Sequence, residues 1–302
     1  LSAFSRIALI GFGEVGQILS EDLAKAGVTD IAVWDLALAS PDSAPSRALR
    51  DHAVRAAGSA PEAVAGAELV ISAVTADQDL AAARSVGPGL ARGANFLDLN
   101  SCSPGQKLAS AAAIEAAGGA YVESAVMSPI GPRRIASPML LGGPHAADFL
   151  ERARPLGFTG ARVFSDKVGQ AAATKLCRSV MIKGIEALLT ESMLAARHYG
   201  VEQVVLDSLS DLLPLPDWNA TAQYMISRSL EHGTRRAEEM REAARTVEEA
   251  HIQPLMSRAI AERQDWAAAY RPALSADLDV MLDAIIRDMG AKDRAAKNRD
   301  AR

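Results

Sequence analysis

The chain has 302 residues, 49% of them hydrophobic and 23% charged, with a formal net charge of −5. That length suits one large domain or two ordinary ones with ample core, and an acidic balance without any Lys/Arg cluster argues against a nucleic-acid surface. No apolar run is long enough for a membrane span, no signal-peptide pattern opens the chain, the two cysteines (Cys102 and Cys177) form no disulfide framework, and the five histidines show no ligand spacing; the expected setting is a reducing cytoplasm, with no membrane, nucleic acid or structural metal.

In chain order, Ile7 to Ile10 form a short apolar run that passes through glycines into a helix with Val15, Ile18, Leu19 and Leu23 on one face. "DIAVWDL" is a second buried strand, ending in Asp35, and "AELVISAVTA" is a third. "ANFLDLNS", "AYVESAV", "PMLLGG" and "ARVFSD" follow, separated by Ala-rich helical stretches. Strands alternating with helices predict an α/β fold, a Rossmann-type doubly wound parallel sheet covered on both faces. Beyond this the periodicity is helical, with loops at "LLPLPDWNA" and near "RPALS" and a charged end, "AKDRAAKNRDAR", expected to fray. The expected organisation is a dinucleotide-binding domain over 1–165 and an all-α domain for substrate and dimerisation over 166–302, joined by a long helix.

"GFGEVG" supplies Gly11, Gly13 and Gly16 in G-x-G-x-x-G spacing, with Phe12, Glu14 and Val15 between them. The first glycine allows a tight turn, the second lets backbone approach a pyrophosphate, and the third lets the helix pack on the sheet. The helix N-terminus then offers its unpaired N–H groups to phosphate. The motif follows a strand, opens a helix and has Asp35 at the end of the next strand, which is the context that makes it a dinucleotide fingerprint. Asp35 can accept both ribose hydroxyls of NAD and repels a 2′-phosphate, and Leu36 follows where a cation would offset that repulsion. NAD is therefore favoured; NADP is the alternative, because Ser40 and Arg47 lie in the next loop.

With these residues in place, the chain resembles the β-hydroxyacid dehydrogenase superfamily, which includes 3-hydroxyisobutyrate and 6-phosphogluconate dehydrogenases. Five stretches carry the resemblance in order: "ALIGFGEVGQILSEDLAKAG", "ISAVTADQD", "FLDLNSCSPG", "YVESAVMSPIGPRRIASPMLLGG" and "VGQAAATKLCRSV". They are similar to the family's N-terminal signature, nicotinamide-side loop, D-x-S-T segment, substrate loop and lysine helix. The C-terminal part resembles a sparsely characterised bacterial branch with a distinct helical domain. The resemblance implies that Lys175 is the catalytic lysine, that Ser128 and Ser101 contact substrate, and that Val74, Thr75 and Asn100 approach the cofactor. Two positions depart from the family pattern. Pro129 and Ile130 stand where two glycines follow the substrate-loop serine, and proline has no N–H to offer an anion. Ser179 replaces an asparagine four residues after the lysine, and is assigned a catalytic role beside it.

On a helix, Lys175 shares a face with Arg178, Ser179, Ile182 and Glu186, while Leu176, Val180, Met181, Ile185, Leu188 and Leu189 fill the other faces. A helix apolar nearly all round is expected to be buried, and its single polar stripe to line a cleft. Oxidising an alcohol needs a proton acceptor beside the cofactor, and a lysine in apolar, cationic surroundings has its pKa lowered toward that task. Arg133, with Arg134, is the candidate clamp for a substrate carboxylate, and Arg178 a further substrate contact. His232, Arg235, Arg236 and Glu239 form a second polar group whose role the sequence leaves open, as Arg235 and Glu239 also suit an i,i+4 surface pair. Trp218 and Tyr224 suit either an aromatic pocket or the core. The reading is an oxidoreductase, EC 1.1.1.-type, acting on a small, carboxylated hydroxy acid or related alcohol, as a homodimer. The alternatives are an imine reductase, which generally lacks lysine at this position, and a non-catalytic dinucleotide-binding module.

Overall fold

The computed structural model describes residues 3–212 and 217–300. The chain divides into two compact units, Leu1–Cys177 and Arg178–Arg302. In the first, strands β1 (Arg6–Ile10), β2 (Asp30–Trp34), β3 (Arg55–Ala56), β4 (Leu69–Ser72), β5 (Asn95–Asp98), β6 (Ala120–Val126), β7 (Met139–Gly142) and β8 (Ala161–Ser165) form, among the described residues, an eight-stranded sheet in the order β3-β2-β1-β4-β5-β6-β7-β8. Its helices are α1 (Glu14–Lys25), α2 (Ala44–Ala48), α3 (Ala60–Val64), α4 (Asp79–Val86), α5 (Pro104–Ala116), α6 (Ile130–Arg133), α7 (Ala146–Ala153) and the first turns of α8 (Gln170–Tyr199). The apolar runs that predict strands are buried on both faces: no residue of β4, β5 or β7 reaches solvent appreciably. One face packs Leu9, Leu19, Leu23, Ile71, Leu97 and Phe149 together. The other gathers Ile10, Val64, Val70, Phe96, Ile114 and Tyr121.

Two details differ from a uniformly parallel sheet. Strand β7 runs antiparallel to β6, with Glu123 opposite Gly142. The connection between them, residues 127–138, has only short helical turns, too little for the helical crossover that a parallel return requires. Strand β3 has two residues, too few to show any period in sequence. The strand order reverses at β1, so the carboxyl ends of β1 and β4 flank the crevice where doubly wound sheets bind ligands.

The second unit is helical: the rest of α8, then α9 (Glu202–Leu212), α10 (Trp218–Glu249), α11 (Leu255–Ala268) and α12 (Leu278–Asp300). Leu189, Met193, Trp218, Ile226, Leu230, Met281 and Ile285 make its core. Trp218 is therefore a core residue, while Tyr224 is exposed. Helix α10 bends at His232 (φ −123°, ψ 15°). At the next residue, Gly233, a Cβ would lie 2.3 Å from the Gln264 carbonyl oxygen, so only glycine lets α10 come this close to α11. The loop expected at "LLPLPDWNA" lies for 213–216 outside the described residues. The "RPALS" loop is a single tight turn at Arg271–Ala273. The end expected to fray is helical to Asp300, and 301–302 lie outside the described residues.

The polar stripe of α8 meets α10 within this unit. Ser179 donates to Glu239 Oε1 (3.1 Å) and accepts from Lys183 Nζ (3.1 Å), and Lys183 pairs with Glu239 at 2.9 Å. Two turns along, buried Glu186 accepts from Arg236 and from Gln264 (3.3 Å). Burial pushes the Glu186 carboxyl up, against the opposing pull of Arg236. The group His232, Arg235, Arg236 and Glu239 is thus partly an internal seam: Arg236 and Glu239 hold α8, and His232 marks the bend. The apolar faces of α8 are less buried than its composition predicts, with Met181, Ile185 and Leu188 exposed.

Candidate cofactor and catalytic site

The three glycines of the loop after β1 do different work. Gly11 has φ +93°, and a Cβ there would meet the Ala73 carbonyl oxygen at 2.3 Å. At Gly16 a Cβ would lie 2.3 Å from the Gly11 carbonyl oxygen. Both are required by the packing of strand, turn and helix. At Gly13 a Cβ would meet nothing within 4 Å. This residue is the exposed N-cap of α1, and no side chain caps the helix. The loop therefore presents an open cradle in front of a helix N-terminus, which fits a pyrophosphate. Phe12 is fully buried with its ring edge-on to His52 (5.3 Å), so only its backbone faces the cradle's interior. Glu14 is exposed and Val15 half-buried at the start of α1.

Asp35 closes the side of this loop. Its carboxylate accepts from Phe12 N (2.7 Å) and Ala37 N (2.8 Å), which fixes it at the end of β2. Leu36 beside it is 65% exposed. Arg47, the residue that would suit a 2′-phosphate, is exposed and donates to the Asp42 carbonyl in its own loop.

Next to the cradle, the ends of β4 and β5 are held by a buried polar network. Asn100 accepts from Val74 N (2.7 Å) and donates to Ser72 Oγ (3.0 Å) and Asp79 Oδ1 (2.7 Å). Its two amide protons are spent and it is 4% exposed, so Asn100 serves as a brace for Val74. Thr75 is exposed and donates to Asp77 Oδ1 (2.5 Å). Beneath Asn100 lies an ion pair between Lys107 Nζ and Asp98 Oδ1 (2.6 Å), with both side chains at most 1% exposed. Tyr121 OH donates to Asp98 Oδ2 (2.6 Å), and Ser110 Oγ to Asp79 Oδ2 (2.6 Å). Two carboxylates share one ammonium. Burial, helped by the Asp79 charge, pushes Asp98 up to about 7 in spite of Lys107. Burial also acts to raise Asp79, but Lys107 and its hydrogen bonds win and hold it below the usual range. Burial pushes the adjacent Cys102 thiol up as well. Asp79, Asp98 and Cys102 bring potential ligand atoms within 4.8 Å of one another, but the Lys107 ammonium already supplies the cation there. Neither Lys107 nor Tyr121 stands out in sequence: each sits in a stretch that reads as ordinary helix or strand.

Lys175 is half-buried in the second turn of α8, and its Nζ donates to Ser101 Oγ at 2.5 Å. An amine and a hydroxyl are thus placed together just past the carboxyl end of β5. Ser128 is half-buried and donates to the Pro129 carbonyl (3.2 Å). Pro129 is exposed at the start of α6, with no N–H to give. Ile130, expected at the substrate, is 7% exposed and packs into the core behind the loop. Arg134 is also placed otherwise than as a clamp: it donates to Asp22 Oδ1 (2.8 Å), Glu21 Oε2 (2.6 Å) and the Ile18 carbonyl (3.2 Å). These bonds hold its backbone at φ +51°, a region that side chains disfavour. Arg133 and Arg178 are exposed. Ser179 has its hydroxyl committed to Glu239 and Lys183.

Residues 6–156 match the model for the NAD binding domain of 6-phosphogluconate dehydrogenase. The chain belongs to the β-hydroxyacid dehydrogenase superfamily. Residues 196–267 match a second family, a domain of unknown function (DUF1932). No curated protein matches the chain. Among solved structures, a conserved hypothetical protein from Sinorhizobium meliloti 1021 is 36% identical, with a TM-score of 0.75 over 94% of this chain and 96% of that one. Conserved protein MTH1747, of unknown function and structurally similar to 3-hydroxyacid dehydrogenases, is 29% identical (TM-score 0.71; 90% of this chain, 100% of that one). The Mycobacterium tuberculosis 3-hydroxyisobutyrate dehydrogenase shares the fold at 20% identity (TM-score 0.70; 93% and 99%). The first domain is accordingly an NAD(P)-binding domain of this superfamily, followed by a helical domain.

In this β-hydroxyacid dehydrogenase fold the Asp98 cluster makes stability depend on pH. A carboxyl raised from 3.8 to about 7 on folding contributes stability that is complete below pH 3.8 and lost as pH climbs through about 7. The melting temperature is expected to fall between roughly pH 4 and 7. Asp98→Asn leaves Asp79 and Lys107 as a one-to-one pair and should flatten that fall. Thermal denaturation at a series of pH values checks it; equal slopes in the two proteins would refute the assignment.

Proposed function

We propose that the chain is an NAD(P)-dependent dehydrogenase that interconverts a hydroxy acid or related alcohol and its carbonyl form, with Lys175 as general acid and base. The observation that carries this reading is the Lys175 amine on the Ser101 hydroxyl at the carboxyl end of β5, in a domain whose family binds NAD(P). The nicotinamide cofactor supplies or accepts the hydride. The protein must handle the proton. In oxidation, neutral Lys175 Nζ takes the proton from the substrate hydroxyl as the hydride leaves the carbon bearing it. In reduction, the ammonium returns that proton to the forming alkoxide. Ser101 Oγ, already on Lys175, orients the amine and hydrogen-bonds the substrate oxygen. This gives Ser101 the part first assigned to Ser179, whose hydroxyl is committed elsewhere. Ser128 lines the substrate loop, and Arg133 is the residue we assign to a substrate carboxylate. We place the reaction in the cytoplasm, where Cys102 and Cys177 stay as the free thiols seen here.

For the cofactor, Gly11, Gly13 and Gly16 with the α1 N-terminus hold the phosphates. Asp35 takes the adenosine ribose, and the backbone at Val74 and Thr75 borders the nicotinamide side. Gly13→Ala is the sharpest test, because its Cβ enters space that only a ligand would fill. It should leave the melting temperature unchanged yet weaken NADH binding by about tenfold, the scale of one poorly accommodated contact. Calorimetric titration should also show NADH binding more tightly than NADPH; the reverse order would shift the ribose contact from Asp35 to Arg47.

For the chemistry, Lys175→Met keeps length and apolar packing while removing the proton acceptor. A screen of hydroxy acids and aromatic alcohols, followed by absorbance of the reduced cofactor, identifies the substrate. On it, Lys175→Met should lower kcat by at least about a hundredfold with NADH affinity retained. Near-normal turnover in that variant would make the lysine structural.

For assembly, Met181 and Leu188 on α8 and Leu255 and Met256 on α11 are each about 60% exposed in the single chain. Large exposed apolar side chains at this density suit cover by another surface, and a homodimer through the helical domain is the arrangement we assign. Light scattering at micromolar concentration should give twice the mass of 31.7 kDa; a monomer would count against it.

A further inference from the structure

The helix that carries Lys175 begins without a cap of its own. The residue before it is Gly169, at φ +97° and with no side chain. The capping oxygens come instead from the sheet. Glu123 on β6, fully buried, accepts from Gly169 N through Oε2 (2.7 Å) and from Ala172 N through Oε1 (2.6 Å), 46 and 49 residues away in sequence. These are the N–H groups that a capping box serves locally. Room for the carboxylate is provided by Gly142, its antiparallel partner on β7, where a Cβ would lie 2.5 Å from Oε2. Its parallel partner on β5 is Asp98. Asp98 in turn accepts from Asn100 N (2.9 Å), one residue before Ser101.

A serine caps most helix ends at little cost, but at position 169 the φ of +97° and Pro104, 3.2 Å from where a Cβ would sit, exclude it. The buried carboxylate that caps the helix instead carries a desolvation penalty that two N–H bonds and the helix dipole only offset. What the buried glutamate adds is a tie between helix and sheet. A long helix also needs no cap in order to form; the cap decides where its first turn sits. The two ties start from facing residues, Asp98 to the Ser101 loop and Glu123 to the Lys175 helix. We propose that Glu123 is a positioning residue: it sets Lys175 Nζ on Ser101 Oγ by fixing the first turn of α8 to the end of β6. Its consequence for turnover rests on the dehydrogenase reading above; its consequence for the amine does not.

The test therefore reads the amine directly. Competitive labelling with acetic anhydride across pH, followed by mass spectrometry of each lysine peptide, reports the reactivity of every amine without substrate. Two variants disturb the tie by different routes. Glu123→Gln is nearly isosteric and removes one acceptor and the charge; Gly142→Ala leaves Glu123 in the chain but pushes a methyl into its carboxylate. In both, Lys175 should label faster by about three- to tenfold, the scale of a lost helix cap, with Lys25 unchanged and buried Lys107 still protected. Glu123→Asp, which keeps the charge and both acceptors, should restore part of the difference. Lys175 labelling within about twofold of wild type in both variants would overturn the proposal. So would a rise shared by Lys107, since that amine is reached only when the sheet opens and Glu123 would then merely hold the fold. Turnover with NAD is measured on the same proteins. Slower turnover with unchanged Lys175 labelling also overturns the positioning role. Faster labelling in a chain that turns over nothing, even as wild type, supports the tie and removes the dehydrogenase reading instead.

Discussion

The register between β5 and β6 is the constraint on which the candidate site depends. It puts Asp98 opposite Glu123. Asp98 holds the backbone of the Ser101 loop, and Glu123 holds the first turn of the Lys175 helix. In a parallel ladder a slip of β6 by one residue against β5 would turn Glu123 to the other face of the sheet and leave Asp98 where it is. There the carboxylate would enter the packing around Leu97 without a partner. The same register brings Tyr121, two residues before Glu123, onto Asp98. One alignment of two short strands therefore fixes an amine, a hydroxyl and the charge cluster beneath them.

Much of this unit was legible in sequence because its signals are local. Apolar runs between Ala-rich helices gave the strands, and the glycine spacing with Asp35 gave the dinucleotide loop. The structure separates what the spacing alone leaves merged: Gly11 and Gly16 are required by backbone contact, and Gly13 faces open space. The residues that escaped notice are those whose partners are distant. "YVESAV" reads only as a strand, and nothing near it announces that Glu123 meets the start of a helix 46 residues later. Lys107 sits in an Ala-rich helix where a lysine is ordinarily solvated, yet it is buried on Asp98. Ile130 and Arg134 were read by their place in a loop, but Ile130 belongs to the core and Arg134 to helix α1. The order of residues in the substrate loop carried no sign of which face each would take.

The helical unit was legible only in class. Its period showed helices; the partners across them are tertiary. The stripe Ser179, Lys183 and Glu186 has the spacing of a solvated face, and Glu239 with Arg235 has the spacing of a surface pair. In the fold that stripe is the seam between α8 and α10. Buried ion pairs of this kind add little net stability over apolar packing, since desolvation consumes most of the attraction. They are better at forbidding alternatives. A shift of α10 by one turn would separate Arg236 from Glu186 and Glu239 from Lys183 together, and the close approach at Gly233 would be lost with them.

The division of the chain at Cys177 gives the position of Lys175 a further meaning. The first turns of α8 pack with the sheet, so the amine shares a compact unit with Ser101, Asp35 and the glycine loop. Only three residues later the same helix belongs to the other unit, where Ser179 and its neighbours are held by α10. The Lys175–Ser101 pair and the dinucleotide cradle thus belong to one compact unit. The family matches divide in the same way, since residues 6–156 match a cofactor-binding domain and residues 196–267, within the helical unit, match a domain without an assigned function.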